Sequence, residues 1–173
     1  ILGECDVIAV PQSENGGRTA LEIASCYIKD KPVRAFDMPM THDRAARNAS
    51  HAAAADAICA LLDEGKNVAF LTLGDPTVYS TGWYVHKRVV SRGYDAELIP
   101  GVPSFCAAAA RLGRALCEDG EMLHIIPASH GKEREGLALP GSKVLMKAGR
   151  GVLRVREELR ESGQLENAAL VER

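Results

Sequence analysis

Residues 43–64 carry apolar side chains at steps of three and four (Ala45, Ala49, Ala52, Ala55, Ile58, Leu62), and Gly65 breaks the run. After Lys66 and Asn67 the chain passes straight into Val68-Ala69-Phe70-Leu71-Thr72-Leu73. A helical period followed at once by a continuous apolar run is half of a βαβ unit, because a strand covered on both faces has no reason to alternate. Alanines on the inner face let the helix lie close to the sheet. Thr41 is placed to cap the helix start and Gly65 to end it. This segment makes a parallel α/β sheet the expected architecture.

The rest of the chain repeats the alternation. Further strands are expected at 6–10, 33–38, 96–99, 122–127, 142–147 and 168–171, with helices at 18–28, 81–92, 103–112 and 152–161. Cys117-Glu118-Asp119-Gly120-Glu121 is short, acidic and aperiodic. It reads as a linker at 118–121 between two small α/β domains, 1–117 and 122–173, both with mainly parallel sheets. The mixed-charge stretch 129–141 reads as a surface loop or a partly ordered segment.

With 173 residues, 46% hydrophobic and 25% charged, the chain can bury a core, which excludes disorder as its main state. A net charge of −2 without a basic block argues against coating nucleic acid. The five cysteines, Cys5, Cys26, Cys59, Cys106 and Cys117, form no CxxC pair and are expected as small buried hydrophobes. His42, His51, His86 and His130 lack metal-ligand spacing, so no metal is expected. No apolar run is long enough for a membrane span and no leader is evident, which makes a reducing cytoplasm the expected setting. The chain opens at Ile1, directly before a strand-like run, as expected where a first strand is missing.

Two turns can carry chemistry. In Thr72-Leu73-Gly74-Asp75-Pro76-Thr77-Val78-Tyr79-Ser80-Thr81 a buried strand meets a Gly-Asp-Pro turn and a hydroxyl-rich helix start. In Ile99-Pro100-Gly101-Val102-Pro103-Ser104-Phe105 a strand meets a Pro-Gly turn and a helix of small residues. Each alone is a generic bend, with Asp75 a plain helix cap. As a pair on successive strands they are far more specific, since the carboxyl ends of parallel strands are where open α/β sheets bind ligands. GxGxxG, GxSxG and GxxxxGK[ST] patterns are absent, which weakens dinucleotide, hydrolase and NTPase readings.

Together the two turns resemble those of the tetrapyrrole methylase family, most nearly its branch that methylates C20 of precorrin-2 or cobalt-factor II in cobalamin synthesis. Supporting matches are Asp6-Val7-Ile8-Ala9-Val10-Pro11, Leu123-His124-Ile125-Ile126-Pro127-Ala128 and Val144-Leu145-Met146-Lys147-Ala148-Gly149-Arg150. The resemblance implies a class III methyltransferase architecture, a homodimer, and S-adenosyl-L-methionine as methyl donor. By motif, the donor's contacts are Leu73, Gly74, Asp75, Val78, Tyr79 and Thr81 on the first loop, Pro103 and Ser104 on the second, and Met146 and Lys147 near the end. The family pattern also includes an early Gly-x-Gly-Pro-Gly-Asp turn and a continuation past 171–173, neither of which lies in this sequence. Other branches of the family, acting at another ring position, on uroporphyrinogen-III or on an RNA ribose, remain alternatives. So does a non-catalytic α/β module that binds an adenosine ligand.

Methyl transfer from a sulfonium to an electron-rich meso carbon needs in-line positioning and a group to accept the displaced proton. Asp75, Tyr79 and His124 are the candidates by position for that acceptor, with none singled out. The substrate's carboxylates call for cations, of which Arg18, after a Gly-rich loop, is the preferred one among Arg44, Lys87, Arg88 and Arg150.

Overall fold

A computed structural model describes residues 1–12 and 19–172, with His130 and Arg150 described by backbone alone. The chain divides into two compact units, Ile1–Val102 and Pro103–Arg173. The acidic stretch 118–121, expected as the boundary, lies inside the second unit. Arg18 falls outside the described residues.

The first unit is a three-stranded parallel sheet in the order β2-β1-β3, with β1 Val7–Gln12, β2 Val33–Asp37 and β3 Val68–Phe70. Ile8 pairs with Val33 on one side of β1 and with Ala69 on the other. Helix α1, Thr19–Ala24, covers one face through Ala24, which meets Ile8, Val10 and Ile28. Helices α2, Arg44–Asp63, and α3, Gly82–Val90, cover the other, where Ala9 packs with Ala54, Ala55, Ile58, Cys59, Val85 and Val89. Residues 7–10 are therefore shut off on both faces, as their unbroken apolar character anticipates.

The cap of α2 differs from expectation. Asp43 takes the N-cap position, its Oδ1 accepting from the amides of Ala45 (2.8 Å) and Ala46 (3.3 Å). Thr41 Oγ1 instead accepts from the Asp43 amide, one step upstream. The buried stripe runs through His51, Ala54, Ala55, Ile58 and Cys59, while Ala45 and Ala49 face water. The helix ends at Gly65, whose φ of 76° suits glycine.

In the second unit α4, Ser104–Leu112, ends at the left-handed Gly113. Strands β4, Leu123–Pro127, and β5, Ser142–Met146, pair in parallel from Leu123↔Ser142 to Pro127↔Met146. Helix α6, Val152–Glu161, follows as expected. The stretch 129–141 is not a loop throughout: α5, Glu133–Leu137, crosses from β4 to β5. Two contacts fix it. Glu133, 1% exposed, receives the Arg154 guanidinium, which also donates to the Ala128 carbonyl at 3.2 Å. Gly136 lies so close to Ile126 that a Cβ there would stand 2.7 Å from Ile126 Cγ1.

Residues 96–99 and 168–171, expected as strands, are unpaired. Ile99, Leu170 and Val171 are exposed, and among the described residues no strand edge pairs with these segments. The cysteines also depart from expectation: Cys59 is buried and Cys5 intermediate, while Cys26, Cys106 and Cys117 are exposed free thiols. Among the described residues no helix is long and apolar enough to cross a membrane.

Candidate active site

The carboxyl end of β3 leads into a closed loop. Leu71 N–H still donates to the Ala9 carbonyl at 2.8 Å, extending the β1 pairing past β3. At the loop base Thr72 Oγ1 and Ser80 Oγ lie 2.9 Å apart in a hydrogen bond, and Ser80 Oγ accepts from the amide of Gly82 at 3.1 Å, at the start of α3. Between these ends Gly74 has φ of 80°, a conformation that a side chain would strain. Pro76 is buried beneath the loop.

Asp75 joins this loop to the Pro-Gly bend. Its Oδ1 accepts from the amide of Thr77 at 2.8 Å and from the Thr77 hydroxyl at 2.5 Å, an Asx turn of the kind an Asp-Pro-Thr sequence favours. Its Oδ2 accepts from the amide of Gly101 at 3.0 Å. These bonds, that of the Thr77 hydroxyl foremost and then those of the Gly101 and Thr77 amides, hold the carboxyl below the usual carboxylate range. The main chains touch as well: a Cβ on Gly101 would collide with the Gly74 carbonyl, 3.0 Å from its carbon and nearer still to its oxygen.

Around this junction the first unit exposes Leu73 (63%), Tyr79 (45%) and Val102 (67%). Tyr79 has φ of 48°, an outlier for a bulky residue and a conformation that persists only where its surroundings impose it. Val78 N–H closes the turn on the Asp75 carbonyl at 3.3 Å, and Thr81 leads into α3, its carbonyl accepting from the Tyr84 amide. Six expected residues, Leu73, Gly74, Asp75, Val78, Tyr79 and Thr81, thus share one loop.

The remaining expected residues belong to the second unit. Pro103 and Ser104 open α4, where the Pro103 carbonyl accepts from the amides of Cys106 and Ala107. Met146 ends β5, and Lys147 follows with φ of 60° and an ammonium pKa lowered by desolvation. The carboxyl end of a parallel strand is again the location.

Other candidates are engaged elsewhere. His124 sits in β4 with Nε2 2.8 Å from the Pro140 carbonyl oxygen. Lys87 lies over the rings of Trp83 and Tyr84, and Arg88 donates to the Tyr84 carbonyl on its own helix. Thr77 and Gly101 escaped the sequence-based list of site residues. The Asp-Pro-Thr spacing could have signalled the first, whereas nothing local marks Gly101 as the acceptor's partner.

All 173 residues match the family model of the Tetrapyrrole (Corrin/Porphyrin) Methylases. The chain belongs to this family. Among similar methylases, the cobalamin biosynthesis protein CobIJ of Mycobacterium tuberculosis is 34% identical over 184 residues, covering 100% of this chain and 36% of that protein. The cobalt-precorrin-2 C(20)-methyltransferase of Salmonella typhimurium is 33% identical over 175 residues, 99% of this chain and 73% of that enzyme. This methylase chain therefore spans about a third of CobIJ and about three quarters of the Salmonella relative. Its α/β fold is shared with the uroporphyrin-III C-methyl transferase of Thermus thermophilus, solved with S-adenyl homocysteine. That likeness has a TM-score of 0.58 at 17% identity over 94% of this chain and 67% of the other.

Proposed function

We propose that the protein is an S-adenosyl-L-methionine-dependent C-methyltransferase of cobalamin biosynthesis that methylates C20 of precorrin-2 or cobalt-factor II. The observation that carries this reading is the junction of two bends at the carboxyl end of β3, joined by Asp75 and Gly101, in a methylase chain. Kinship with a cobalt-precorrin-2 C(20)-methyltransferase over 99% of this chain favours that ring position over others.

The junction fits an adenosyl group. It presents the exposed apolar surfaces of Leu73, Tyr79 and Val102 beside the main chain of the two bends, a lining suited to a flat heteroaromatic ring. The donor supplies an electrophilic methyl on a sulfonium. Leu73, Gly74, Val78, Tyr79 and Thr81 are proposed to hold it from the first unit, and Pro103, Ser104, Met146 and Lys147 from the second. Asp75 keeps the loop in shape. The work left to the protein is orientation, because the tetrapyrrole's meso carbon is itself the nucleophile and only its displaced proton needs an acceptor. Asp75, with both oxygens occupied and its pKa lowered, is a poor proton acceptor. Arg18 is proposed as a cation for the substrate's carboxylates. A second copy of the chain is proposed as its partner.

The test is to incubate the protein with methyl-labelled S-adenosylmethionine and, side by side, precorrin-2 and cobalt-factor II. One added methyl with its carbon signal at the meso bridge is expected. Label on a pyrrole carbon or in RNA would overturn the C20 assignment, and donor binding without transfer to either tetrapyrrole would make the protein a binding module.

A further inference from the structure

We infer that Asp75 is a positioning residue: its carboxylate latches the bend at 101 to the loop at 73–79, and the methyl donor is held by the shape this latch maintains. The inference rests on the methyl-donor site proposed above and assigns a role within it.

The chemistry of the acceptor set carries the point. Three donors converge on one side chain, the Thr77 amide and hydroxyl on Oδ1 and the Gly101 amide on Oδ2. An ionised carboxylate has lone pairs enough for all of them, and no proton to spare. An amide has one accepting end only, so Asn at this position would turn its NH2 towards either Gly101 or Thr77, donor against donor. A protonated carboxyl meets the same conflict. The latch therefore needs a negative charge, and the depression of the Asp75 pKa is the expected mark of that need.

Backbone shape makes the latch specific to this pair of bends. Gly74, at φ of 80°, presents its carbonyl to Gly101 so closely that no Cβ fits there. Among the described residues 96–99 joins no strand and Pro100 has no amide to give, so the bend meets the loop through the Gly101 amide on the Asp75 carboxylate and the close approach of the Gly74 carbonyl. A side chain whose two oxygens already serve the protein's own donors also has limited capacity left for a ligand.

The experiment uses two independent readouts on the full chain. In the protein without donor, amide hydrogen exchange at Gly101 should accelerate roughly tenfold or more in Asp75→Asn, as a charge-assisted bond is lost. Affinity for S-adenosylhomocysteine is then measured for wild type, Asp75→Asn, Gly101→Ala and the double variant. Both single changes open the same latch, one from each side, so the double variant should bind about as weakly as the weaker single. In turnover with S-adenosylmethionine, kcat should fall for Asp75→Asn by more than the affinity does, as a displaced loop misaligns a donor that still binds. Unchanged Gly101 exchange in Asp75→Asn would overturn the latch. Multiplying losses in the double variant would overturn it too, and would make Asp75 a direct contact of the donor. If wild type fails to bind S-adenosylhomocysteine, the proposed function fails, while the Gly101 exchange measurement still decides the latch.

Discussion

Replacing Gly101 by alanine adds a single methyl group where the two bends meet. Its carbon would stand 3.0 Å from the Gly74 carbonyl carbon and 3.4 Å from the Asp75 Cα, with the Gly74 oxygen closer than either. Since unbonded carbon prefers neighbours at about 3.5–4.0 Å, the bends must part by roughly 1 Å. All the atoms struck are main chain, so no side chain can swing aside. Such overpacking costs about 1–3 kcal/mol, and an exposed bend that can yield belongs at the lower end. That corresponds to a fall in Tm of about 2–4 °C for each kcal/mol lost. A displacement of this size would also stretch the 3.0 Å bond from Gly101 to Asp75 beyond hydrogen-bonding range. Misplacing a bound reactant by about 1 Å can cost on the order of a hundredfold in rate, so the loss of methyl transfer should far exceed the loss of stability. The control is Gly74→Ala, where the added carbon meets only the Val102 carbonyl oxygen at 3.8 Å and the penalty is the left-handed backbone, about 1–2 kcal/mol. Thermal melts and single-turnover transfer on both variants check the argument. If Gly101→Ala melted and transferred like wild type, the approach of the two bends would be irrelevant to the site.

The remaining predictions concern the scaffold. His51, buried between α2 and α3 and stacked on Tyr84 at 5.0 Å, is held below the usual histidine pKa by burial first and then by Arg88 and Arg47. A depressed pKa means the folded protein resists protonation, so stability is full above about pH 6.5 and declines as pH falls below it. The imidazole Nδ1 has no hydrogen-bond partner among the described residues, so His51→Phe should keep the stacking at little cost and flatten that decline in melts from pH 7 to 5. In the second unit, Arg154→Ala leaves Glu133 buried without its cation and should cost about 2–3 kcal/mol in urea unfolding. Glu133→Gln, which keeps an acceptor for the guanidinium, should cost less; equal losses would mean that packing alone matters there.

Much of this was legible before any coordinate. The βαβ half at 43–73 announced itself because helix period and apolar run are both strong signals, and Ala55, Ile58 and Leu62 were rightly placed inward. The upstream half of the stripe was misread for a physical reason. Alanine occupies so many positions between 45 and 57 that two faces carry nearly the same residues, and only contact with the sheet selects Ala54 over Ala49. Helix α5 was hidden because its anchoring is long-range: a glutamate that looks like surface charge is buried by an arginine 21 residues further on. The strand expected at 96–99 failed for the opposite reason, since its side chains suit a strand but pairing depends on an edge the sequence does not describe. At the site, Gly-Asp-Pro and Pro-Gly were recognisable as turns. That one carboxylate joins them is a fact of tertiary geometry, invisible in spacing alone.

The central strand of the first unit is walled in by helices on both sides, with Ile8 and Val10 turned one way and Ala9 the other. Residues 7–10 of this strand offer no side chain to any visitor, and recognition is left to the bends at the strand ends. Scaffold and selectivity can therefore drift apart over evolutionary time. A descendant could exchange its bends to accept a different ligand while leaving these residues untouched.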